Sequence, residues 1–192
     1  MHRELGIKAL LLVGLGVLMA LVLHGCFIAP SPITEATLRF SDLVGPVGAQ
    51  GEIKVSVANM PGGGLSALVV GSESSPGAED WLGLEYDPTQ FQVTEVQGLN
   101  NFQVLAWGTH DTDPTIPVGE VRFVAVSPDE GIVDGDVALI IGNRLGGTNF
   151  NFQVQKANLQ LLDASGNLIP AAAYNVAIGQ APPYYTRGDE GR

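Results

Sequence analysis

From Thr37 onward, apolar and polar residues alternate with a period of two, the repeat of an extended chain with one covered face. In "EIKVSVANM", Ile53, Val55 and Val57 fall on one side and Lys54 and Ser56 on the other. "TLRFSDL" pairs Leu38 with Phe40, "WLGLEYDP" aligns Leu82, Leu84 and Tyr86, and "FQVTEVQGL" aligns Phe91, Val93 and Val96. "NFQVLAWG" sets Phe102, Val104 and Ala106 against Gln103, Leu105 and Trp107. "GLSALVVG", "GEVRFVAV", "GDVALIIGN", "NFNFQVQKANLQLLD" and "AAYNVAIGQ" complete a series of about ten short segments broken by Gly, Pro, Asn and Asp. No helical pattern separates them, which disfavours parallel crossover units. The expectation is an all-β, antiparallel two-sheet sandwich or barrel without core helices.

The first residues follow a different rule. Ala9 to Leu23 is apolar and uncharged, with Arg3 and Lys8 before it. A basic start and a short apolar stretch match a secretory signal. Counting on through Ala29 approaches the roughly 20 residues of a membrane span, so an uncleaved anchor is the second reading. Either way, everything after Cys26 is expected outside the cytoplasm. Residues 1–25 carry two bases and one acid; the formal charge of −11 therefore becomes −12 without them. Such a surface repels nucleic acid. The remainder suits one domain, and with a single cysteine it can form no internal disulfide.

Chemistry-bearing groups are sparse. "GTHDTDPT" gathers His110, Asp111 and Asp113, and "SPDEGIVDGD" holds Asp129, Glu130, Asp134 and Asp136. Solvated turn residues account for both stretches; Asp111, Asp113, Asp129 and Asp134 are weak candidates for a loose calcium site. Asp163, Ser165 and Asn167 alternate like oxygen ligands, yet no distant bidentate Glu follows, so a tight turn at Gly166–Asn167 is expected there. There is no nucleophile elbow, zinc-protease motif or phosphate loop. No catalytic residue and no resident cofactor is therefore expected. Trp81, Trp107, Tyr86, Tyr184 and Tyr185 could present rings to a sugar or a protein, or cover the ends of the sandwich. If Phe102 and Val104 point inward, Gln103, Leu105 and Trp107 point outward, with Arg122 on a comparable outward face; these four form the candidate partner-binding surface.

Two resemblances sharpen this reading. Leu23, Gly25 and Cys26 resemble the signal of a bacterial lipoprotein precursor, with His24 where a small residue is usual. This resemblance implies cleavage after residue 25 and lipid attachment at Cys26. The alternative is a thiol within an uncleaved anchor. "NLQLLDASGNLIP" (Asn158 to Pro170) is similar to the penultimate strand and hairpin of cohesin domains, and "GLSALVV", "LGLEYDPTQFQVTEV", "GEVRFVAVSP" and "GDVALIIGNRL" line up in the family's order. The resemblance implies a jelly roll of about nine strands over residues 37–180, after a linker at 26–36 and before a flexible tail at 181–192. It further implies a non-catalytic module that docks a calcium-loaded dockerin, often borne by a polysaccharide-degrading enzyme. "SESSPGAED" (Ser72 to Asp80) interrupts a strand that is continuous in the family and lies near the docking face. A carbohydrate-binding module and a structural envelope lipoprotein are the runners-up.

Overall fold

The computed structural model describes residues 35–71, 82–128, 130–147 and 150–179. Among them the chain forms eleven strands: β1 (Thr37–Phe40), β2 (Gln50–Ala58), β3 (Leu65–Val70), β4 (Leu84–Tyr86), β5 (Phe91–Gly98), β6 (Gln103–Thr109), β7 (Glu120–Val126), β8 (Gly135–Arg144), β9 (Phe152–Val154), β10 (Leu159–Asp163) and β11 (Asn175–Ile178). Among the described residues, regular helix is confined to two single 3-10 turns, Lys156–Asn158 and Ala171–Ala173. The all-β sandwich inferred from alternation is the observed architecture.

Sheet A runs β11-β1-β2-β8-β5, antiparallel except where β11 lies parallel to β1. In sheet B, β7 carries β6 along one side. Along its other side it carries β3, with Ala67–Val70 opposite Val126–Phe123, and then β4, with Leu84 and Glu85 opposite Val121 and Glu120. The next lane is shared in the same way, by β10 on β3 and β9 on β4. Eleven strands thus occupy nine lanes, five in sheet A and four in sheet B. The long segment read as "NFNFQVQKANLQLLD" is two strands rather than one, because the turn at Lys156–Asn158 breaks it. The other divided lane breaks between Gly71 and Leu82, around the interruption read from the sequence.

Alternation explains the core. β2 has the strictest pattern, with Gly51, Ile53, Val55 and Val57 buried between Glu52, Lys54 and Ser56. Phe40, Phe91, Phe123, Leu68 and Ile140 are sealed from solvent between the sheets. Edge-to-face contacts join the sheets at one end: Tyr86 to Phe91 at 5.9 Å, Phe91 to Phe150 at 5.6 Å and Phe40 to Phe152 at 6.4 Å between ring centroids. The edge strands β5 and β6 each carry a bulge, at Thr94 and Leu105. A bulge interrupts the unpaired ladder that would otherwise invite another strand.

Candidate functional site: the outer face of sheet B

Register places three rows of side chains across the outside of sheet B. Leu162, Ala67, Val126 and Gln103 form one; Gln160, Val69, Val124 and Ala106 form the next; Arg122 and Gly108 head the third. The middle of this surface is aliphatic and small, with Val69, Val124 and Ala106 side by side. A shallow depression of about 300 Å³ sits there, floored by Val69, Ala106, Val124 and Arg122 and walled by Thr112, Asp113 and Ile116 of the β6–β7 connection. That wall folds over β6 at Gly108, where an added Cβ would lie 2.9 Å from Ile116 Cδ1.

Arg122 stands at the break in the β3/β4 lane. Its stem passes between two glycines: a Cβ at Gly71 would lie 2.7 Å from Arg122 Cγ, and one at Gly83 would lie 3.0 Å from it. Gly71 also has a φ of +99°, which side-chain-bearing residues rarely adopt. The guanidinium Nε donates to Glu120 Oε1 at 2.6 Å, and the same oxygen accepts from the N–H groups of Gly83 (2.6 Å) and Leu82 (3.1 Å). Glu120 is 1% exposed. One carboxylate oxygen therefore gathers the donors left over where the ladder stops, and fixes the point at which the chain returns to the sheet. Its other oxygen, Oε2, is buried without a hydrogen-bond partner.

The four residues expected on this face separate. Gln103 faces out, and Leu105 is 64% exposed at the bulge. Arg122 faces out, its side chain 26% exposed. Trp107 does not share their side. The bulge at Leu105 adds one residue to β6 and reverses the alternation after it, so Trp107 lies opposite inward-facing Phe123 and packs on the core. Ala106 takes the outward position instead.

The carboxylates read as weak calcium candidates sit in turns. Asp113 Oδ1 accepts from the N–H and hydroxyl of Thr115 at 2.9 and 2.7 Å, and these bonds, with Arg122 contributing least, hold its carboxyl below the usual range. Asp134 Oδ1 accepts from Asn59 N–H at 2.8 Å. Asp111 meets only Gln92, at 3.5 Å. Among the described residues no three His, Cys, Asp or Glu side chains group as metal ligands. Asp163 closes its turn through Ser165 and Asn167 N–H, and there Gly166 takes the positive φ while Asn167 does not. Cys26, Trp81, Asp129, Tyr184, Tyr185 and the Ser72–Asp80 stretch lie outside the described residues.

No family model and no curated protein matches the chain. Solved structures do. A cohesin module from a Clostridium perfringens family 33 glycoside hydrolase superposes with a TM-score of 0.50 at 16% identity, over 74% of this chain and 96% of its own. The sixth cohesin from scaffoldin B of Acetivibrio cellulolyticus, solved in complex with a mutant Cel5 dockerin, gives 0.51 at 12% identity, over 77% and 100%. The fold is that of a cohesin module. What sequence reading missed in this cohesin-like sandwich is the pair Glu120–Arg122 and the aliphatic rows. A signal for the rows existed: "LSALVV" and "VRFVAV" are apolar in both phases, as strands with two covered faces are.

Proposed function

We propose that the chain is a non-catalytic docking module that binds a dockerin-type protein through the outer face of sheet B. The observation that carries this reading is the uncovered aliphatic surface Val69–Val124–Ala106, in register across three strands and bordered by Gln160, Gln103 and Arg122. An apolar centre with a polar rim is the general arrangement of protein interfaces. Support comes from the Acetivibrio cellulolyticus cohesin, which shares this fold and was solved with a dockerin bound. The partner is read as the calcium-loaded component, carried by an enzyme of polysaccharide breakdown. The module is read as exported and held at the cell envelope by lipid on Cys26, supported by the Leu23–Gly25–Cys26 motif.

Calorimetry of the full chain against dockerins tests the docking. Saturable binding in calcium that disappears with a chelator is expected. Heat only from soluble glycans, or none from any dockerin, would overturn it. The anchor is tested separately. Cys26→Ser is expected to release the protein from the membrane with its β-rich circular dichroism unchanged. Mass spectrometry showing Met1 retained and Cys26 unmodified would count against lipidation.

A further inference from the structure

A second concavity, about 280 Å³, opens where the edges of the two sheets meet, lined by other residues of the same β6–β7 connection. Tyr86 and Leu145 form part of its lining, Val118 its rim, and Asp111, His110 and Gln92 its polar side. Val118 is 64% and Leu145 51% exposed, so the concavity offers aliphatic surface to water beside a carboxylate. Asp111 has no cationic partner, since the ion pairs among the described residues are Lys54–Asp136 and Arg122–Glu120. It is the one carboxylate of the lining. Burial, and then the Asp111 charge after an opposing bond from Val93, push the Tyr86 phenol upward, which places that carboxylate within electrostatic reach of the ring.

The Asp111 carboxylate is the acceptor of this lining, with Gln92 Nε2 3.5 Å from its Oδ2. His110 Nδ1 lies 2.8 Å from the Ile116 carbonyl. That oxygen can only accept, so the ring donates to it from Nδ1. Calcium would need six to eight oxygens, which one carboxylate and its neighbours do not supply. A sugar would want an exposed ring, and Tyr86 is buried at 8% exposure. A long aliphatic stem ending in a compact cation satisfies both halves of the site: apolar walls for the methylenes, and the Asp111 carboxylate for the head. We infer that this socket receives a lysine side chain of a protein partner, its stem against Val118 and Leu145 and its ammonium on Asp111.

The test uses the full chain, with Nα-acetyl-lysine amide as probe and Nα-acetyl-norleucine amide as its uncharged counterpart. The readout is the methyl NMR signals of Val118 and Leu145. Saturable shifts with the lysine probe alone are expected. Asp111→Asn should weaken binding at least 5-fold, whereas Glu95→Gln, which removes the same charge from the outside of sheet A, should change it less than 2-fold. Three results would overturn the inference: equal shifts from norleucine, equal weakening by both variants (general attraction to an acidic protein), or no saturation. Both positions are exposed, and an unchanged methyl spectrum without probe confirms that each variant is folded.

Discussion

On the outside of sheet A the positions between buried residues hold Arg39, Glu52, Lys54, Asp136 and Glu95, which surround the two aliphatic residues Leu139 and Ile141. On the outside of sheet B the corresponding positions hold Ala67, Val69, Ala106, Val124, Val126 and Leu162, and the charges are Arg122, Glu85 and a carboxylate buried at Glu120. Both sheets close over the same core with the same inward alternation. They differ only in the phase that folding leaves free. Sheet A spends that phase on solubility, as antiparallel sheets facing water do. Sheet B leaves it aliphatic, with Val69, Val124 and Val126 half-buried, so that a further surface laid over them would bury more apolar area.

The largest expected effect contrasts the two ion pairs. Lys54–Asp136 on sheet A spans 3.1 Å with side chains 42% and 35% exposed, whereas Glu120 in the sheet B pair is almost wholly buried. Lys54→Met should cost less than about 0.5 kcal/mol, the usual worth of an exposed pair. Arg122→Met keeps the stem between Gly71 and Gly83 but leaves a buried carboxylate without its cation, and should cost about 3 kcal/mol. Adding Glu120→Gln should recover most of that loss, because the amide oxygen can still accept from Leu82 and Gly83. Urea unfolding of the four proteins checks this. Equal losses in the two single variants would show that the two faces do not differ in this respect.

Docking supplies the next contrast. Val124→Asp puts a charge at the centre of the aliphatic rows and should weaken a dockerin-type partner by more than about 30-fold, the scale of a hot-spot loss of 2 kcal/mol. Leu139→Asp, outward on sheet A opposite Lys54, should leave affinity within about 2-fold. Calorimetry on both variants decides it. A reversed ranking would move the interface to sheet A.

How far this contrast was legible depends on what each feature rests on. The inward phase was readable because burial repeats every second residue; Ile53, Val55, Phe123 and Leu161 are all core. The aliphatic outside of sheet B was half readable, since β3 and β7 lack the polar partners that β2 shows. Trp107 was misplaced because a bulge belongs to the pairing of two strands, and nothing in "QVLAWG" marks Leu105 as the extra residue. Glu120 was invisible for a related reason. An acid at a strand start looks solvated, and only the broken neighbouring lane at Gly71 and Leu82 turns it into a buried acceptor. The interruption at Ser72–Asp80 was read as a departure from the cohesin pattern, and β3 ends at Val70 before it while β4 opens at Leu84 after it.

The smallest expected effects lie in the turns. Asp87, Asp113 and Asp163 are exposed, and each accepts from backbone N–H groups two residues on. These bonds lower all three carboxyls from their ordinary 3.8: for Asp87 the Thr89 hydroxyl leads, for Asp113 the Thr115 hydroxyl, and for Asp163 the Asn167 N–H. A carboxyl lowered on folding binds its proton more readily in the unfolded chain, so its contribution is present above 3.8 and is lost as pH falls through the folded value. Thermal stability should therefore hold from neutrality down to about pH 5 and decline below the ordinary carboxylate range. Asp163→Ala should lower Tm slightly and flatten that acid decline. Asp113→Ala should do the same and also weaken docking about 3-fold, a modest rim effect, because Asp113 walls the sheet B depression while Asp163 closes a turn at the opposite end of the sheet. Paired melting and binding measurements separate the two. If Asp163→Ala weakened docking as much as Asp113→Ala, the docking surface would have to extend along the whole of sheet B rather than centre on Val124.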